Sequence, residues 1–149
     1  MRRRCFPIRP GRPRQWGAIG YVTVTLPIGG LGYGLLEVIW RGYTHPSMIL
    51  TGGGCFAVIC LLNRKLTRVP IAVRIALCTV VVILAEFFVG LLVNRVLDMN
   101  VWDYSGTRFH LLGQICLEYS FFWLLLCTVL SFAVSLFVRA EKKRGNLGK

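Results

Sequence analysis

The sequence lacks the motifs of several common enzyme classes. Its closing GNLGK does not fit the phosphate-binding pattern GxxxxGK[ST], so any ATP hydrolysis that the protein uses must come from another chain. The metalloprotease pattern HExxH and the hydrolase pattern GxSxG are also absent. We therefore expect a protein that is not an enzyme and that needs no cofactor, with an intramembrane enzyme that lacks these motifs as the alternative.

Paired metal or redox motifs are missing as well. The chain has 6 cysteines but no CxxC pair, and most of them lie in apolar runs. We expect them to be reduced packing residues. His45 and His110 are interpreted as interfacial polar residues, and no metal site is predicted.

Acidic residues are scarce: 6 Asp and Glu stand against 18 Lys and Arg, for a net charge of +12. In a soluble domain this excess would suggest nucleic acid. Here 55% of the residues are hydrophobic, mean hydropathy is +0.61, and the basic residues are segregated into short segments. This layout argues against nucleic acid and favours a membrane protein whose basic faces contact anionic lipid of the cytoplasmic leaflet.

The basic segments predict the topology. Of the 18 Lys and Arg residues, 15 fall in the N-terminal arm, in the loop 63–74 and in the C-terminal tail, and the others are Arg41, Arg95 and Arg108. Basic residues near span ends stay on the cytoplasmic side, so the pattern predicts four membrane helices with both termini inside. The predicted regions are a basic disordered arm (1–16), a four-helix transmembrane domain (17–138) and a basic tail (139–149).

The predicted spans differ in length and character. The first is expected to be a retained helix rather than a cleaved signal peptide, because no A-x-A-like site closes it. The second is short and begins with Gly52, Gly53 and Gly54 after Pro46, so it is expected to be tilted, partly unwound or shielded by its neighbours. The approximate bounds are Ala18–Trp40, Ser47–Leu62, Ile71–Val93 and Ile115–Val138.

Three glutamates lie within the spans. Charged groups are costly there, so Glu37, Glu86 and Glu118 are expected to face the protein interior. The 1.5 Å rise per residue places all three in the outer half. With polar groups of the outer loops they suggest an outward-facing polar cavity whose charge depends on pH. The candidate cavity residues are Glu37, Arg41, Glu86, Asp103, Arg108, Gln114 and Glu118.

Helical spacing groups these acids with small residues. Gly30, Gly34, Glu37 and Arg41 form one stripe, on which the glycines allow close helix contact. Two further stripes are predicted, Glu86–Gly90–Asn94 and Gln114–Glu118. Glu37 and Arg41 can also pair at i,i+4, so the alternative is a neutralised pair that joins helices and has no transport role.

The segment 94–113 is unusual for a loop because aromatic and charged residues alternate in it. Trp102, Tyr104 and Phe109 are typical of a membrane interface, so an amphipathic or re-entrant outer segment is expected before the fourth helix. It could be an interfacial anchor. It could instead be a lid that brings Asp103 and Arg108 toward Glu37 and Glu86.

Several strings resemble one known family. WDYS (102–105) and GQICLEYSFFW (113–123), with the earlier GYGLLEVIWRG (32–42) and TGGG (51–54), resemble small bacterial integral membrane proteins labelled putative ABC-transporter type IV, or CmpB-like permeases. The resemblance implies a multi-pass protein of the bacterial inner membrane. Its motif positions in this chain are Glu37, Arg41, Trp102, Asp103, Tyr104, Gln114 and Glu118.

Three functions fit this sequence. One is a permease-like subunit that works with a separate cytoplasmic ATPase or another membrane subunit. The second is a self-contained proton-coupled ion or drug carrier, in which a homodimer completes the pathway. The third is a non-catalytic membrane scaffold, which glycine stripes would serve equally well.

Overall fold

The computed structural model describes residues 18–147, and four long helices make up most of this part of the chain. A π-helical segment (Leu91–Val96) continues the third helix, and a short antiparallel hairpin of β1 (His110–Leu111) and β2 (Ile115–Cys116) precedes the fourth. The helices are α1 (Ala18–Arg41), α2 (Pro46–Lys65), α3 (Ile71–Gly90) and α4 (Leu117–Leu147). The all-α class with four helices is confirmed, and the predicted arm lies outside the described residues.

Each helix is long and apolar enough to cross a membrane. Large apolar side chains cover the outside of the bundle: Leu31 is 71% exposed, Val129 66% and Phe137 80%. A water-soluble protein rarely leaves so much contiguous apolar surface uncovered, whereas lipid chains cover it without cost. The outer surface is therefore that of a multi-pass membrane protein.

Glycines bring the backbones of α1 and α2 into contact. A Cβ atom added to Gly53 would lie 2.5 Å from the carbonyl oxygen of Leu26, and one added to Gly30 would lie 2.7 Å from that of Ile49. These two sites have no room for a side chain, so the backbones of α1 and α2 touch there. The structure shows α2 as one unbroken helix through its glycine run. The expected partial unwinding of α2 is not observed, and Gly53 is shielded by α1, whereas tilt of this helix stays a prediction.

The loop between α2 and α3 and the far end of α4 lie at the same end of the bundle. Arg64 forms a bidentate ion pair with Glu141, with Nη1 2.9 Å from Oε2 and Nη2 3.2 Å from Oε1. The fourth helix runs well past its predicted limit at Val138, so the described part of the predicted tail is helical.

The sequence pattern places Arg74 in the basic loop 63–74. In the structure Arg74 lies in the first turn of α3 and is only 5% exposed. Its Nη1 donates to Asn63 Oδ1 and to Ser135 Oγ, both at 3.1 Å. Asn63 in turn donates to Ser131 Oγ at 3.1 Å. This buried polar network joins α2, α3 and α4 at the basic end of the bundle.

Candidate functional site

Glu86 lies at the centre of the candidate site. It sits four turns into α3 and is 4% exposed. Its Oε1 accepts a hydrogen bond from the Tyr104 hydroxyl at 3.0 Å, and its Oε2 accepts one from Trp123 Nε1 at 2.6 Å. Both donors are neutral. Among residues 18–144, whose side chains the structure describes, no Lys, Arg or His nitrogen lies within 4.0 Å of this carboxylate.

Tyr104 holds its position by stacking. Its ring lies 4.6 Å from that of Tyr119 on α4, with an interplanar angle of 21°. Burial raises the pKa of Tyr104 far above its ordinary value, and the neighbouring Glu86 carboxylate raises it further. The hydroxyl therefore stays protonated and remains a donor to Glu86.

A cavity of about 350 Å³ opens beside Glu86 between the four helices. Its wall is mostly apolar and includes four aromatic residues: Tyr33, Phe56, Trp102 and Trp123. Gly32 also lines it, and a Cβ atom added there would meet nothing within 4 Å. A volume in this range is typical of sites for small molecules. Glu86 is the carboxylate in this wall.

Residues 97–114, called the outer segment from here on, close over the end of the bundle at which α3 ends and α4 begins. Asn94 holds it with three hydrogen bonds: Nδ2 donates to Trp102 O and to Gln114 Oε1, both at 2.9 Å, and Oδ1 accepts from Val101 N at 2.7 Å. The Trp102 indole donates to Gln114 O at 3.0 Å. The π-helical turn places Asn94 toward the interior, where it is 7% exposed.

Gly90 provides the space for this arrangement. A Cβ atom there would lie 2.5 Å from Gln114 Oε1 and 2.9 Å from Trp102 Cζ2. The predicted stripe of Glu86, Gly90 and Asn94 is therefore one buried face, which receives the outer segment. Trp102 forms part of the cavity wall.

A family model described as putative ABC-transporter type IV matches residues 35–146. The chain belongs to this family. The matched range contains Glu86, Tyr104 and Trp123, together with all of α2 and α3, and it agrees with the resemblance of the WDYS and GQICLEYS strings. No curated protein and no solved structure matches the chain.

Within this family member, Glu37 and Arg41 form a separate polar cluster. Glu37 is 4% exposed, and its Oε1 accepts from Arg41 Nη1 at 3.1 Å. Its Oε2 accepts from the Thr44 hydroxyl at 2.5 Å. Arg41 Nη2 also donates to Tyr43 Oη and to Val101 O, both at 3.2 Å. Through Arg41, the pair thus connects the end of α1 to the outer segment at Val101.

Gln114 and Glu118 do not share a helical face, so that stripe was wrong. The fourth helix begins at Leu117, and Gln114 precedes it in the hairpin, where i,i+4 spacing has no meaning. Gln114 is buried against Gly90, whereas Glu118 is exposed in the first turn of α4. A carboxylate at that position interacts favourably with the helix dipole.

The remaining predicted cavity residues are on the surface. Asp103 is exposed and accepts from Ser105 N at 2.9 Å and from Ser105 Oγ at 2.6 Å. These bonds lower the pKa of Asp103. Arg108 is exposed, and so is Phe109, at 80%. Of the seven predicted cavity residues, Glu86 lines the cavity, and the structure does not gather the others around it.

Tyr33 and Trp123 were missed as site residues. Their rings stack with centroids 5.8 Å apart and join α1 to α4 at the cavity. For Trp123 a signal existed, since a buried indole N–H usually needs an acceptor and few acceptors occur in the spans. For Tyr33 the sequence carried no comparable signal.

Proposed function

We propose that this chain is the membrane-embedded subunit of a transporter and that the cavity beside Glu86 holds the transported molecule. The observation that carries the proposal is a buried carboxylate in the wall of a small-molecule-sized cavity inside a four-helix membrane protein. Ionisable groups at such depth are costly and commonly mark substrate or ion pathways. Membership of a transporter family agrees with this assignment.

Energy would come from a separate cytoplasmic ATPase, because the chain has no phosphate-binding loop and is proposed to be non-catalytic. The docking face would be the basic end of the bundle, where Arg64 contacts Glu141. Lys65, the last residue of α2, and Arg68, in the loop that follows, are exposed at that end. Acidic side chains of a partner would be attracted to them.

The same charge distribution supports an orientation with both termini in the cytoplasm of a bacterial cell. The basic end of the described chain carries eight Lys and Arg residues and Glu141, and the opposite half carries three basic and five acidic residues. Basic residues are retained on the cytoplasmic side and attracted to anionic lipid there. The eight are Arg64, Lys65, Arg68, Arg74, Arg139, Lys142, Lys143 and Arg144.

The test is crosslinking and affinity purification from native membranes, with partners identified by mass spectrometry. We expect a stoichiometric cytoplasmic ATPase. The double variant Lys65→Ala/Arg68→Ala should lose it, whereas Arg108→Ala, an exposed basic residue at the opposite end, should retain it. Recovery of this chain without any ATPase would reject the subunit assignment.

One observation favours a second function, a self-contained proton-coupled carrier that acts as a homo-oligomer. Glu86 has only neutral hydrogen-bond donors among its described neighbours, so a proton and a cation could compete for it. Proteoliposomes that contain only this chain would then move a cation in response to a pH gradient, and Glu86→Gln would abolish the movement. Unchanged movement in that variant would exclude this mechanism.

A further inference from the structure

We propose that the cavity binds an organic cation, with an ammonium-type group against Glu86 and apolar substituents along the rest of the wall. The inference rests on the proposed function in taking this cavity as the cargo site. It adds the chemical class of the cargo, which neither the family nor the number of helices defines.

The charge argument comes from comparing two glutamates. Glu37 and Glu86 are equally buried, each 4% exposed. The guanidinium of Arg41 lies 3.1 Å from the Glu37 carboxylate. Glu86 faces the cavity and has no cationic partner among residues 18–144. A buried carboxylate without a counter-charge is costly. A cationic ligand would supply that charge from within the cavity.

The aromatic wall selects the kind of cation. Four aromatic side chains line the cavity: Tyr33, Phe56, Trp102 and Trp123. Rings attract ammonium groups through cation–π interactions, and such cages are a known way to recognise quaternary ammonium. A metal ion would instead need several oxygen, nitrogen or sulfur ligands. Among the described residues, no group of three or more His, Cys, Asp and Glu could hold one.

The shape of the cavity provides a route for an amphiphilic ligand. Ile28 and Leu36 of α1 belong to its wall and yet are 57% and 51% exposed on the lipid-facing surface. The wall on the α1 side is thus continuous with the surface that contacts hydrocarbon. A cation with apolar groups could enter from the bilayer, where such molecules concentrate.

The test measures equilibrium binding of two probes to the purified chain in lipid nanodiscs, and the binding to protein-free nanodiscs is subtracted. The probe is phenyltrimethylammonium, and tert-butylbenzene is its neutral isostere of similar shape. Glu86→Gln removes the charge while keeping both contacts, since the amide oxygen can accept from Trp123 and the amide nitrogen can donate to the Tyr104 hydroxyl. Gly32 lines the cavity, so the side chain of Gly32→Leu should fill it. Gly54→Leu is the matched control, because Gly54 does not line the cavity. A Cβ atom at either glycine meets nothing within 4 Å.

We expect the cation to bind the wild type more tightly than its isostere, and Glu86→Gln to weaken cation binding by roughly tenfold while leaving isostere binding unchanged. Gly32→Leu should weaken the binding of both probes, and Gly54→Leu should leave the binding of both unchanged. Equal affinity for the two probes, no cation binding to the wild type, or full cation binding by Glu86→Gln would each overturn the proposal. The binding assay needs no partner, so loss of the proposed ATPase association would not affect it.

Discussion

Trp123 Nε1 donates to Glu86 Oε2 at 2.6 Å, and this bond connects the second turn of α4 to α3 across 37 residues of sequence. The same indole stacks on Tyr33 of α1, with ring centroids 5.8 Å apart. One side chain therefore joins three of the four helices at the cavity. The bond also leaves Glu86 with neutral partners, which is the basis of the proposed cation site.

Replacing Trp123 with Phe should lower the free energy of unfolding by about 1–3 kcal/mol, since the buried carboxylate loses a donor while an aromatic ring remains. Reversible unfolding in mixed micelles would measure the change. Trp40→Phe is the control, because Trp40 is 67% exposed and has no hydrogen-bond partner among the described residues. Equal effects of the two substitutions would contradict a stabilising role for the Trp123–Glu86 bond.

The two neighbouring glycines of α2 should respond in opposite ways to alanine. Gly53→Ala forces a Cβ atom to 2.5 Å from Leu26 O, so α1 and α2 must separate, at about 1–3 kcal/mol. Gly54→Ala meets nothing within 4 Å and should be neutral or slightly stabilising, because alanine favours the helix. Thermal unfolding in detergent would compare the two variants. A stable Gly53→Ala protein would mean that the α1–α2 contact is looser than described.

Asn94→Ala should release the outer segment, because three hydrogen bonds to Val101, Trp102 and Gln114 are lost together. Hydrogen–deuterium exchange of residues 97–114 should become faster, with little change in α2. The exposed Arg108→Ala serves as the control within the same segment. Exchange that stays at the wild-type rate in Asn94→Ala would show that other contacts hold the segment.

Asp103 should make the outer segment sensitive to acid. Its pKa is lowered from 3.8, chiefly by the Ser105 hydroxyl and then by the Ser105 backbone N–H. A lowered pKa in the folded state adds stability that is fully present above the unfolded pKa of 3.8 and is lost as the pH falls through the lower folded value.

NMR titration of the Asp103 carboxylate would measure this pKa directly. Ser105→Ala should move it up toward 3.8, because the largest cause of the shift is removed. In Asp103→Asn, the loss of segment protection on acidification should be smaller than in the wild type. A titration of Asp103 that is the same with and without the Ser105 hydroxyl would contradict this assignment.

The sequence predicted the helix number and several packing positions well. Long apolar runs separated by basic segments indicated four spans, and the spacing of Gly30 with Gly34 and of Glu86 with Gly90 indicated faces that are buried in the structure. These features are local, because burial in lipid and helix periodicity act on each segment separately. The orientation with both termini inside stays a prediction.

The partners of the buried polar groups were decided by tertiary structure. Sequence spacing could suggest the Glu37–Arg41 pair within one helix, but not that Glu86 would meet Tyr104 and Trp123, which lie 18 and 37 residues away. Those contacts depend on the rotation of α4 and on the fold of the outer segment. Hydropathy and charge determine which segments enter the membrane, whereas the packing of helix against helix determines which acid has a cation beside it and which faces a cavity.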